Sequence, residues 1–148
     1  SALLHDMCDK KYMDEKKGLK DIENFLVQDL KYEKSKTNLI TNIIDTMSYS
    51  KIKKNGFPNM GKYQTEYNVV READLLAAYD VDRSIIYNMT LNNYDFESSI
   101  LNTNALYEKR MGKHLDDNLF TFDYTKKKAK QLNNDAQERL YYINKLLE

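Results

Sequence analysis

Residues 129–147 have the sequence AKQLNNDAQERLYYINKLL, and the spacing of their apolar side chains decides the fold class. Apolar residues recur at steps of three or four, which is the period of one face of an α-helix. The stripe consists of Ala129, Leu132, Ala136, Leu140, Ile143 and Leu147. The spacing predicts a final amphipathic helix that begins near Tyr124.

The same period extends through most of the chain and predicts an all-α helical bundle. It indicates helices after Asp14 and over 34–47, 65–89 and 96–115, with 65–89 forming either one helix or two. The segment 48–63 is predicted to be a loop because it contains Gly56, Pro58 and Gly61. His114 lies in a polar stretch, which predicts a surface position.

The composition limits the classes of function that the chain can have. Lys plus Arg and Asp plus Glu number 23 each among 148 residues, so no net field attracts DNA or an anionic membrane. No apolar stretch approaches the roughly 20 residues that cross a bilayer. The single cysteine, Cys8, excludes an internal disulfide framework. We therefore expect one cytoplasmic domain over 1–148, without a membrane or DNA partner.

Two short segments contain residue types that bind metal ions. The run Ala2-Leu3-Leu4-His5-Asp6 ends in an imidazole beside a carboxylate, a mixed set that suits a divalent cation. Asp74 lies in a predicted helix, within an apolar stripe of Val69, Val70, Ala73, Leu76 and Ala77. An acid in such a stripe is costly unless it is paired or binds a metal. A salt-bridged core carboxylate remains the alternative for Asp74.

The order and spacing of these segments resemble the HD superfamily of metal-dependent phosphohydrolases. The resemblance includes His5-Asp6 with the following Asp9-Lys10, the stretch Ser48-Tyr49-Ser50-Lys51, and the segment from Val70 to Leu76. It extends over nearly the whole chain. It implies a helical bundle of the HD-domain type that hydrolyses a small phosphorylated substrate, such as a nucleotide.

The resemblance also implies the roles of individual residues. His5, Asp6 and Asp74 would bind a divalent ion of Mn, Fe, Co, Ni or Mg. Asp9 would orient or deprotonate the attacking water. Lys10 or Lys11 would neutralise the substrate phosphate, since lysine is a mobile point charge. A solvated loop and helix start is the alternative for the two lysines.

Three departures from the family pattern leave a second function open. The family places a first metal-binding His in a helix upstream of the His-Asp pair, and four residues precede His5, so we expect an HD domain that is incomplete at its N-terminus. Met47 stands where relatives carry a His, and its thioether is a poor ligand for a hard cation. Ala77 stands where many carry an acid. The alternative is a catalytically inactive HD-fold module that binds a ligand or a protein.

Overall fold

The computed structural model describes residues 1–9 and 13–148, and the regular structure within these ranges is helical, with no β-strand. The α-helices are α1 Glu15–Asn24, α2 Lys34–Thr46, α3 Tyr49–Asn55, α4 Gln64–Ala77, α5 Val81–Leu91, α6 Phe96–Lys109 and α7 Asp123–Asn144. Shorter helical turns occupy His5–Cys8, Phe25–Asp29, Gly61–Tyr63 and Met111–Lys113. The predicted all-α class is confirmed for the described residues, while the HD-type arrangement stays a prediction.

The chain divides into two compact units, Ser1–Arg71 and Glu72–Glu148, with the boundary inside α4. The single HD domain over 1–148 stays a prediction. No helix in the described ranges is long and apolar enough to span a membrane.

Helix α2 contributes apolar side chains to two hydrophobic clusters of the first unit. Ile44 packs with Cys8, Ile22 and Leu26. Its neighbour Ile43 packs in a second cluster with Met47, Met60 and Tyr67. Adjacent helix positions point in directions about 100° apart, so one helix can contribute to both clusters.

Helix α1 lies unusually close to the His5–Cys8 turn, and a glycine permits this. A Cβ added at Gly18 would come within 2.7 Å of the Cys8 Cα and 2.8 Å of the Cys8 Cβ. Asp14 caps the start of α1 by accepting a hydrogen bond from the Lys17 amide at 2.8 Å. The cap satisfies one of the amides that a helix start leaves without an intrahelical partner.

The second unit combines a small apolar cluster with a buried polar seam between α5 and α6. Ile85, Ile100 and Ile143 form the cluster, and Leu147 packs against it. In the seam, the Asn88 amide donates to Thr103 Oγ1 at 3.3 Å. Buried polar groups of this kind are costly unless they are hydrogen-bonded, so the seam favours one register of the two helices.

A carboxylate from α4 satisfies the start of α7. Glu72 is fully buried and accepts hydrogen bonds from the amides of Thr121, at 2.7 Å, and Phe122, at 3.4 Å. Thr125 donates its hydroxyl hydrogen to the same carboxylate. The negative charge also lies at the positive end of the helix dipole. Glu72 therefore binds the two residues that precede α7 and Thr125 in its first turn.

The predicted loop over 48–63 is wrong in its first half. Tyr49–Asn55 is a helix that buries Ile52, and the chain leaves it at Gly56, where φ is 76°. Only glycine adopts such a φ readily, so Gly56 ends the helix rather than opening a long loop.

The predicted buried face of α4 is also wrong. Val69 is 54% exposed and Ala73 is exposed, whereas Arg71 and Glu72 are fully buried and Asp74 is half-buried. The Arg71 guanidinium lies over the Phe57 ring, 4.7 Å from its centre, and this contact offsets part of the cost of burying the charge. The apolar pattern failed here because charged residues occupy the inner face of the helix.

The predicted surface position of His114 is wrong as well. Its side chain is fully buried and makes an edge-to-face contact with Tyr79, with ring centres 5.6 Å apart. Burial, reinforced by the charge of Arg110 and opposed by that of Asp117, lowers the pKa of His114 from 6.5 to about 4. The imidazole is therefore neutral at neutral pH.

Candidate functional site

The His5–Cys8 turn brings the predicted ligands His5 and Asp6 together. His5 Nδ1 lies 2.8 Å from the carbonyl oxygen of Ala2, and His5 Nε2 lies 3.2 Å from Asp6 Oδ1. The side chains are 27% and 77% exposed, respectively, so both can be reached from solvent. The turn thus presents a nitrogen and an oxygen donor on one small surface.

The contact to Ala2 selects one tautomer of the His5 ring. A carbonyl oxygen only accepts, so Nδ1 carries the hydrogen, and the neutral ring then has its lone pair on Nε2. That lone pair faces the Asp6 carboxylate. Two electron-rich atoms 3.2 Å apart are favourable neighbours only when a proton or a cation lies between them.

Cys8 and Asp9 complete the described part of this segment. The buried Cys8 thiol donates to the His5 carbonyl oxygen at 3.5 Å, and the Asp9 amide donates to the Asp6 carbonyl oxygen at 3.2 Å. Burial and nearby carboxylates, chiefly that of Glu15, raise the pKa of the Cys8 thiol. The thiol is therefore a small core group and not a ready metal ligand, as expected for a buried cysteine.

The remaining predicted site residues are Lys10, Lys11 and Asp74. Lys10 and Lys11 lie outside the described residues. Asp74 is half-buried on the part of α4 that belongs to the second unit, whereas His5 and Asp6 belong to the first. In 1–9 and 13–148, no group of three or more His, Cys, Asp or Glu side chains is placed to hold a metal ion. The donor types of the pair fit a divalent cation, but the described ranges show no group in which a third His, Cys, Asp or Glu side chain joins the pair.

Met47 occupies a position in the core. It is 4% exposed and packs with Ile43, Met60 and Tyr67. An imidazole there would need polar partners that this apolar cluster does not supply, so its identity as methionine follows from packing.

Sequence reasoning missed a lysine at the centre of the first unit's charge network. Lys51 Nζ lies 2.5 Å from both Glu15 Oε1 and Asp45 Oδ1. Partial burial favours the neutral amine, but the hydrogen bonds to Asp45 and Glu15 prevail and raise the pKa of Lys51. The ammonium is thus a fixed cation that joins α1, α2 and α3. The feature of the sequence that could have identified Lys51 is its place in the Ser48-Tyr49-Ser50-Lys51 stretch.

A shallow groove of about 560 Å³ lies between α1 and α2 and shares Asp45 with this network. It is lined by Lys16, Leu19, Lys20, Glu23, Asn38, Thr41, Asn42 and Asp45. The lining combines amides, a hydroxyl and charges of both signs with the apolar side chain of Leu19.

Comparison of the chain with family models, with curated proteins and with solved structures finds no match in any of the three.

Proposed function

We propose that this chain is a cytoplasmic, metal-dependent phosphohydrolase that acts on a nucleotide or another small phosphorylated metabolite. The proposal combines the resemblance to HD phosphohydrolases with the geometry of the His5–Cys8 turn. Its fold would be the HD-type helical bundle. The all-helical structure of the described residues is compatible with that bundle.

The observation that carries the proposal is the orientation of the His5 ring. Histidines that bind metals commonly donate their second ring N–H to a backbone carbonyl, which fixes the tautomer and the direction of the free lone pair. His5 has this arrangement through Ala2, and its Nε2 lies 3.2 Å from an oxygen of Asp6. A proton or a metal ion between these atoms would make the contact favourable, and the resemblance to HD phosphohydrolases favours the metal ion.

The chain's own residues would have distinct tasks in the proposed reaction. His5 and Asp6 would hold the ion, with Asp74 as the third ligand. A bound divalent ion lowers the pKa of its water and polarises a phosphoryl oxygen. Asp9 would accept a proton from that water, and Lys10 or Lys11 would bind the substrate phosphate. These roles follow from the resemblance.

Metal binding tests the proposal directly. Isothermal titration calorimetry of the metal-free protein with Mn²⁺ and Co²⁺ should show one site, and Asp6→Asn should weaken it by tenfold or more, on the order expected for loss of a charged ligand. Asp74→Asn should have a comparable effect. Asp21→Asn, an exposed acid on α1, is the matched control and should bind as the wild type does.

Turnover provides the second measurement. Phosphate release should be screened with nucleoside mono-, di- and triphosphates in the presence of each metal, and the activity found should be lost in Asp6→Asn. A folded protein that neither takes up these ions nor releases phosphate would overturn the proposal. That result would favour the alternative of an inactive HD-fold binding or interaction module.

A further inference from the structure

Lys51 connects three helices of the first unit through a single ammonium group. It belongs to α3, while its partners are the first residue of α1, Glu15, and Asp45 near the end of α2. The Lys51 side chain is only 28% exposed. A bridge to two acids is more persistent than an isolated surface pair, because ordering one lysine serves both contacts.

Helix α1 connects these contacts of Lys51 to the His5–Cys8 turn. Glu15 opens the helix, and Gly18, one turn later, is in contact with Cys8 so closely that a methyl group would collide with it. Packing this tight transmits small displacements instead of absorbing them. A shift of the first turn of α1 would therefore move Cys8, and with it the turn that carries His5 and Asp6.

We infer that Lys51 is a positioning residue: by tying Glu15 to Asp45, it holds α1 against the His5–Cys8 turn and keeps that turn closed. The inference rests on the proposed function only in so far as the turn is taken to carry metal ligands. The closure itself is a property of the folded chain and can be measured without a metal.

Cys8 provides the measurement, since it is the only cysteine in the chain and is 5% exposed. Its rate of reaction with dithiodipyridine, a neutral thiol reagent, reports opening of the turn once it is divided by the rate for the urea-unfolded chain. Lys51→Met should raise this ratio about fivefold, as expected for loss of a charge bridge between partly exposed groups.

Matched variants separate this role from general effects of charge. Lys54→Met removes an exposed lysine from the same helix and should leave the labelling ratio at the wild-type value. Lys51→Arg keeps a cation that can contact both acids and should also stay near that value. If Lys51→Met does not fold, Glu15→Gln removes one arm of the bridge and should raise the ratio in the same direction.

The inference fails if folded Lys51→Met labels at the wild-type ratio, or if Lys54→Met accelerates labelling equally. Calorimetry with Mn²⁺ then distinguishes this failure from that of the proposed function. A wild-type protein that binds no Mn²⁺ overturns the phosphohydrolase proposal and leaves the labelling result valid. If the wild type does bind Mn²⁺, weaker binding by Lys51→Met and its restoration in Lys51→Arg support the positioning role, and unchanged binding opposes it.

Discussion

Mild acid should destabilise the second unit through His114. The folded-state pKa of this buried imidazole is about 4, below its ordinary value of 6.5, so the unfolded chain takes up the proton more readily. The stability that follows from keeping His114 neutral is therefore fully present above pH 6.5 and is lost as the pH falls toward 4. At 1.36 kcal/mol per pKa unit, the full loss is about 3 kcal/mol, of which about 2 kcal/mol has gone by about pH 5.

The assay is urea unfolding followed by far-ultraviolet circular dichroism, at about pH 7.5 and about pH 5. His114→Phe removes the titrating group and keeps an aromatic edge against Tyr79, so its free energy of unfolding should fall about 2 kcal/mol less than that of the wild type. Equal losses in His114→Phe and the wild type would refute the argument.

Two further substitutions test contacts that organise the units. Glu72→Gln should lower the free energy of unfolding by about 1 to 3 kcal/mol, measured by urea titration at neutral pH, because an NH2 donor replaces one of the two oxygens that accept from Thr121, Phe122 and Thr125. A stability equal to that of the wild type would show that these hydrogen bonds contribute little. Gly18→Ala should cost about 1 to 3 kcal/mol and speed the labelling of Cys8, since the added methyl group overlaps its backbone. An unchanged midpoint and labelling rate would contradict the close approach.

The helices could be predicted where their stabilising contacts are apolar. The stripe over 129–147 placed the last helix near its observed start at Asp123, and the segment 34–47 matches α2 to within one residue. The segment 65–89 forms two helices, which was one of the two alternatives. Asp80 marks the break, because its side chain accepts from the Arg83 amide and begins α5.

The prediction failed where charged or titratable side chains are buried. Hydropathy assigns charged and titratable residues to solvent. It therefore predicts a surface position for His114 and does not indicate the burial of Arg71 and Glu72. Glu72 is stabilised by amides some fifty positions later in the chain, and Arg71 by the ring of Phe57. Burial of a charge is favourable only with such partners, and partners from distant segments leave no periodic trace in the sequence.

The candidate site likewise includes one local contact, which the sequence can predict, and one expected contact with a distant segment, which it cannot. His5 and Asp6 are neighbours in sequence, so their meeting depends on local geometry, and the turn that holds them also provides the Ala2 carbonyl that orients the ring. The proposed third ligand, Asp74, belongs to another segment, and its position depends on packing that one sequence does not reveal. Two donors alone bind a divalent ion weakly. A further ligand that the fold already holds in place strengthens binding, because no conformational entropy is lost in ordering that ligand when the ion binds. Under the proposed function, the affinity for the ion would depend on the rigidity of the turn and on Asp74 as a third ligand. Thiol labelling of Lys51→Met tests the first of these dependences, and metal titration of Asp74→Asn tests the second.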